Sequence, residues 1–245
     1  MARRGLGPKD IHKGSLEDGS AGLGPGVDRA SVQGASDRSG GHFSSAYSLA
    51  SREETLSHYR SWAESYDREV GDENGYAQPA RTVEMLSKFE NLSGLKVLDA
   101  GCGSGLSGLA LAAGGVAHLH GCDFSPDMLA KARLKTVYNH LFEADLNEPL
   151  RDVADATYDA VTAVGVFSFG HVAPAACEEL ARILKPGGFL IIALNEQYWD
   201  KGDLSAQLDH MVADGVLVEK AKEFGEHLPG HGVKGWVLAF QKPSQ

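Results

Sequence analysis

A strand-length apolar run that ends in an acid and turns at once through glycines, VLDAGCGSGLSGLAL (Val97 to Leu111), most limits what this chain can fold into. Its glycines fall at 101, 103, 105 and 108. Glycine is needed where backbone turns with positive φ or approaches a ligand closely. A helix that follows such a turn presents unpaired N–H groups to whatever lies in front of it. The unit therefore suits the phosphate, ribose or amino-acid end of a nucleotide-like ligand. Two ligands fit the spacing. Gly103 to Gly108 reads as the GxGxxG of a dinucleotide-binding unit. Asp99-Ala-Gly101-Cys-Gly103-Ser-Gly105 reads as a different loop serving a different cofactor.

The pattern around this loop alternates. Strand-like runs at 96–100, 118–123, 139–145, 158–166 and 189–195 are separated by helical stretches at about 104–113, 125–134 and 173–184. Strands separated by helices of this length imply parallel βαβ units with right-handed crossovers. Beyond residue 204 a helix (204–215) leads into two strand-like runs, 216–224 and 235–243, joined by the turn-rich HLPGHGVK. With no helix between them, they predict an antiparallel hairpin at the sheet edge. The fold expected is α/β, a Rossmann-like doubly wound, mostly parallel seven-stranded sheet with a C-terminal antiparallel hairpin.

Ahead of the first strand, SREETLSHYRSWAESYDREV places Ser51 and Glu54 at capping-box spacing. Leu56, Tyr59, Trp62 and Tyr66 then share one helical stripe. A second helix is expected over 75–89, and the span 51–90 reads as a helical lid. Residues 1–45, rich in Gly and Ser with mixed charges, carry too few apolar side chains to repay ordering. They are expected to be a disordered extension before one domain at 46–245.

Composition excludes several classes. Apolar types make up 42% of 245 residues, enough for one sizeable core. No run reaches the ~18–20 apolar residues of a membrane span, and MARRGLGPKD lacks the apolar region of a secretory signal. Cys102, Cys122 and Cys177 form no CxxC pair, so neither a zinc site nor a disulfide framework is indicated, and a cytoplasmic setting is expected. A net charge of −10 disfavours a nucleic-acid partner, which needs clustered Lys and Arg.

In an open parallel sheet, ligands sit beyond the carboxyl ends of the strands where strand order reverses. The first strand delivers Asp99 and the glycines to that edge. The second ends at Asp123, 24 residues after Asp99, where a carboxylate can accept both hydroxyls of a ribose. The third ends at Asp145, and the fourth in AVGVFSFGH across from the loop. His171, just after the fourth strand, is the best-placed general base. Asn195, Glu196, Tyr198 and Trp199 follow the fifth strand, either lining an acceptor pocket or capping the hairpin.

VLDAGCGSG, GCDFSPDMLAKA, ADLNEPL, YDAVTAVGV and ARILKPGGFLIIAL together resemble the ordered motifs of class I S-adenosylmethionine-dependent methyltransferases, over residues 51–243. HYRSWAESYD, GYAQPA and VYNHLFEADLNEPL are more narrowly similar to the Williams–Beuren-region methyltransferase-like group and to bacterial tetratricopeptide-repeat-associated methyltransferases. No helical repeat is visible in this chain. The resemblance implies S-adenosyl-L-methionine as cofactor. It implies that Asp99 organises the methionine ammonium, and that Gly101, Cys102 and Gly103 approach the methionine by backbone. Asp123 would hold the ribose, Phe124 and Met128 the adenine ring, and Asp145 with the Leu146 N–H its amino group. Ala163 and Val164 would face the methionine end, with Tyr59 and Tyr66 as a lid.

Absences narrow the acceptor. The fourth strand lacks the [DNS]PP[FYW] of adenine or glutamine amino-group enzymes and the Pro-Cys of a cytosine enzyme. A small-molecule acceptor is expected, ahead of protein and then RNA. Two competing readings are an NAD-dependent oxidoreductase and a catalytically silent binding module. Against the first, Asp99 would bring a carboxylate close to a pyrophosphate. The sequence carries no signal for oligomeric state.

Overall fold

The structure is a computed structural model, and it describes residues 65–168 and 171–244, preceded by 54, 57, 58, 60 and 61. The expected extension at 1–45, the Ser51 cap, Tyr59 and Trp62 lie outside the described residues. Seven strands form one sheet in the order β3-β2-β1-β4-β5-β7-β6. These are β1 (Lys96–Ala100), β2 (His118–Asp123), β3 (His140–Glu143), β4 (Tyr158–Val164), β5 (Leu184–Asn195), β6 (Val218–Leu228) and β7 (Val233–Gln241). The first five pair in parallel, while β7 runs antiparallel to both β5 and β6. The expected topology and its terminal hairpin are both present. Strand order reverses between β1 and β4, so the cleft belongs above these two.

Local sequence accounts for the helices. They are α1 (Gln78–Ser87), α2 (Leu106–Ala113), α3 (Pro126–Leu134), α4 (Ala176–Ile183), α5 (Glu196–Trp199) and α6 (Asp203–Ala213). Ser125 caps α3 by accepting from Met128 N at 3.3 Å, with Pro126 in its first turn. Asn195 caps α5 by accepting from Tyr198 N at 2.8 Å, which gives that side chain a structural task. Ahead of α1 the chain makes one wide π turn, Asp67–Glu73, in place of a continuous α-helix through residue 70.

Alternation along the central strands fills two cores. Leu98, Val161, Ile192 and Phe240 face α4 and α6, meeting Leu180, Leu204 and Leu208. Val97, Ala160, Ile191 and Val237 face α1, meeting Met85 and Leu86. Phe167 is fully buried, and truncating a core aromatic of this kind costs about 3–5 kcal/mol.

Three boundaries differ from expectation. β4 stops at Val164, because Gly165 takes a left-handed φ of 70° while its N–H still reaches Ala193 O at 2.8 Å. β5 begins at Leu184, and Lys185-Pro-Gly-Gly is a bulge inside the strand, with register jumping from Tyr158–Leu184 to Ala160–Phe189. β6 runs on to Leu228, so the hairpin turn is confined to 229–232.

Candidate active site

The glycine loop joins β1 to α2 and is fastened to the end of β2. Cys102 N–H donates to Cys122 O at 2.9 Å, and Gly105 N–H turns back to Cys102 O at 2.9 Å. Gly101, Gly103 and Gly105 all have positive φ, of 69°, 53° and 96°. Their surroundings differ. A Cβ on Gly101 would come within 2.5 Å of Val166 Cγ2, so this glycine lets the β1 and β4 loops touch. A Cβ on Gly103 would meet nothing within 4 Å, and the backbone there borders open space.

Gly108 serves close packing. A Cβ there would stand 2.2 Å from the Tyr138 hydroxyl oxygen and 2.3 Å from its ring. Gly121 on β2 gives way to the same ring, with 2.8 Å to Tyr138 Cε1. The fourth glycine therefore makes room for a tyrosine.

The purpose of that tyrosine is Asp99. The Asp99 carboxylate is fully buried and takes hydrogen bonds from Ser107 Oγ at 2.6 Å, Tyr138 Oη at 2.7 Å and Thr162 Oγ1 at 3.3 Å. Burial pushes its pKa up to about 6, against the pull of the three hydroxyls. Asp99 thus lies beneath the loop, tying α2, the approach to β3, and β4 together.

Asp123 occupies the rim at the end of β2. Its Oδ2 accepts from Gly103 N at 2.9 Å and its Oδ1 from Ser125 N at 2.9 Å. Burial raises its pKa, opposed by the N–H groups of Ser125, Gly103 and Phe124. Each carboxylate oxygen accepts more than one donor, so both retain capacity toward the cleft beside Gly103. Met128 is packed inside at 2% exposure, one turn into α3.

Asp145 and His171 come together through Asn147. Asn147 N–H donates to Asp145 Oδ1 at 2.9 Å, and its amide donates to His171 O at 3.1 Å. Ser168 Oγ and His171 Nδ1 are 2.8 Å apart. Leu146 is buried beside them. Ala163 pairs with Ile192 and is wholly enclosed in the sheet, while Val164, the last residue of β4, is nearly so. Tyr66 packs with Val70, Leu106, Tyr76 and Leu228, where the π turn meets α2 and the hairpin. Of the residues after β5, Tyr198 is buried in the core and Trp199 packs on Trp236 with centroids 6.2 Å apart.

The structure also brings in residues that sequence reading missed. Asp67 accepts from Ser104 Oγ in the glycine loop and pairs with Lys135 after α3. The Tyr76 hydroxyl presses on Gly165, 2.7 Å from where a Cβ would stand. His227 at the end of β6 lies against the Tyr76 ring, centroids 5.3 Å apart and edge to face. Buried Gln78 bonds to His227, and Arg81 bonds to Gln78. Asp67 directly follows Tyr66, and the fourth glycine hinted at a bulky neighbour. For His227 no local signal existed.

Comparisons with known proteins settle the family. The family described as "Methyltransferase domain" matches residues 98–192, which run from β1 through β5. A human protein named methyltransferase-like protein 27 is 33% identical over 180 residues, covering 70% of this chain and 71% of that protein. The chain belongs to the class I S-adenosylmethionine-dependent methyltransferases. A ubiquinone biosynthesis O-methyltransferase of Xylella fastidiosa (strain M23) is 32% identical over 114 residues, covering 45% of this chain and 46% of that enzyme, so the chain matches about half its length. A TehB-like methyltransferase structure from Corynebacterium glutamicum shares the fold, with a TM-score of 0.58, 20% identity, and coverage of 76% of this chain and 98% of that one.

This methyltransferase uses S-adenosyl-L-methionine. The residues present fit that group, since open space at Gly103 adjoins an acceptor-only carboxylate at Asp123. Among the described residues no cluster suited to a metal occurs, and no helix is long and apolar enough to cross a membrane.

Proposed function

We propose that this methyltransferase acts on a small-molecule acceptor held at the carboxyl edge between Gly165 and the β6–β7 hairpin. The observation that carries this reading is the cover over that edge. Tyr76 closes on Gly165, and Tyr66 packs between the π turn, α2 and the hairpin. A site roofed by its own chain favours a compact acceptor over a folded macromolecule. The net charge of −10 points away from nucleic acid.

The bound cofactor supplies an activated sulfonium methyl, so the protein needs chiefly to align the acceptor in line with it. In this reading Asp123 holds the ribose, with Phe124 and Met128 flanking the adenine and Asp145 and the Leu146 N–H at its amino group. Gly101, Cys102 and Gly103 offer backbone to the methionine end, bounded by Ala163 and Val164. Asp99 acts from beneath: it fixes the loop through Ser107 and Tyr138 and sets a negative field under the ammonium. The segment ahead of α1 would supply the lid, with Tyr59 and Tyr66 among its residues and water excluded from the acceptor, while α1 itself packs on the sheet. His171, anchored by Ser168 and Asn147, is the base for any acceptor that arrives protonated. A cytoplasmic setting agrees with three free, buried cysteines, none of which is paired.

Calorimetric titration with S-adenosylmethionine tests the cofactor half, with micromolar affinity expected. Tritiated methyl transfer from the cofactor into separate metabolite, protein and RNA pools tests the acceptor. Label entering mainly the protein or RNA pool would overturn the small-molecule reading.

A further inference from the structure

At the acceptor side, one histidine has its protonation pattern fixed from behind. Gln78 is fully buried on α1, and its amide cannot turn over. Its Oε1 accepts from the Arg81 guanidinium at 3.2 Å. Its Nε2 lies 3.1 Å from Leu194 O and 3.4 Å from Trp236 O, both acceptors only. Nε2 is thereby a donor, and it stands 2.9 Å from His227 Nδ1. The His227 Nδ1 must accept, so the neutral ring carries its proton on Nε2. Burial and the Arg81 charge hold this imidazole neutral, its pKa lowered to about 4.

The Nε2–H end points to function. No described residue accepts a hydrogen bond from it, and it is not among the enclosed, unpartnered atoms. The ring is buried at 5% exposure, and it lies at the same edge beside Tyr76, whose hydroxyl rests on Gly165. Behind it, Arg81 bonds only to neutral oxygens: Gln78 Oε1 and the carbonyls of Glu223, Glu226 and Gly235. The nearby Glu223 carboxylate is engaged by Lys88 at 2.5 Å, while Glu84 and Glu226 offset part of the Arg81 charge. The ring thus presents a fixed donor backed by a cation.

We propose that His227, locked as a hydrogen-bond donor by Gln78, anchors the methyl acceptor, and that the acceptor is an oxygen acid ionised near neutral pH, a carboxylate or an acidic enol or phenol. A fixed N–H holds one lone pair of such an oxyanion. It repels an ammonium, which has no lone pair to offer. The step balances without a base. The oxyanion lone pair forms the new C–O bond, the sulfur–methyl bond breaks with its electrons going to sulfur, and a neutral thioether and a methyl ester or ether result. His171 is then dispensable for this acceptor. This inference rests on the methyltransferase reading of the edge.

The experiment has three readouts on the full chain. Calorimetry with S-adenosylmethionine comes first, since failure to bind would sink the underlying reading itself. Next, tritiated methyl transfer is measured into a small-molecule extract divided by anion exchange into an acidic pool and a neutral-plus-basic pool. The pools are separated before the reaction; neutral labelled product is expected when the acidic pool supplies the acceptor, and His227→Leu should lower its yield by about tenfold while cofactor affinity holds within about twofold. His227→Gln, which keeps an N–H donor, should recover part of the loss. Label formed mainly from acceptors of the other pool, or from neither pool while the cofactor binds, would overturn the proposal. Finally, nitrogen NMR of the native protein should show His227 protonated at Nε2 and bare at Nδ1. The opposite tautomer would overturn it whether or not any variant folds.

Discussion

The two halves of the active-site edge are built in different ways. On the β1–β2 side the working parts are neighbours in sequence: Asp99 through Gly105 is one loop, and Asp123 reaches it through a single bond to Gly103 N. On the β4–β5–β7–β6 side they come from opposite ends of the domain. Gln78 and His227 are 149 positions apart and meet only because α1 lies over the hairpin. The first half is a backbone cradle whose shape is set by a few adjacent residues. The second is a set of side chains placed one at a time by packing.

Substitutions can test that contrast. Asp123→Ala should have the largest effect, weakening S-adenosylmethionine about 100-fold through loss of charge-assisted hydrogen bonds. Native-like affinity in calorimetry would remove Asp123 from the ribose. A pair of glycine changes then separates cradle from scaffold. Gly108→Ala drives a methyl into Tyr138 and should destabilise the fold by about 2–3 kcal/mol in urea melts, leaving cofactor affinity little changed in the folded fraction. Gly103→Ala meets no protein atom, so it should cost about 1–2 kcal/mol of stability from its positive φ but lose most of the binding. If the two behaved alike, the cradle would not be the open space at Gly103.

Asp99→Asn tests what lies beneath the loop. Burial raises the Asp99 pKa from 3.8 to about 6, so the folded chain holds its proton more tightly than the unfolded one. The stability this contributes is complete below the unfolded value and is lost as pH rises through about 6. Comparing urea midpoints at about pH 4 and 7 should therefore show the asparagine variant gaining about 2–3 kcal/mol on the native protein. Parallel curves would mean that the native carboxylate is ionised throughout.

Arg81→Met addresses the other half. It strips donors from the carbonyls of Glu223, Glu226 and Gly235 and should cost about 1–3 kcal/mol, with cofactor affinity unmoved. Weakened cofactor binding would mean that the halves are coupled. The smallest effect is expected at His171, where alanine should change the turnover of an acidic acceptor by less than about threefold. A large loss confined to kcat would restore His171 as an obligatory base.

Strand order class, the terminal hairpin and the glycine loop were legible in the chain alone. Those rest on periodicity, on caps such as Ser125, and on the glycine conformations at 101, 103 and 105, all of which act over a few residues. The position of Asp123 at the rim was legible as well, since a carboxylate at a strand end is placed by the strand. Tertiary packing alone decided that Asp99 lies sealed beneath the loop, that Gly108 admits Tyr138, and that His227 sits against Tyr76 with Gln78 and Arg81 behind it. Each of these depends on which side chains two distant segments bring into contact. Packing and desolvation set such contacts, and neither leaves a local pattern in the chain.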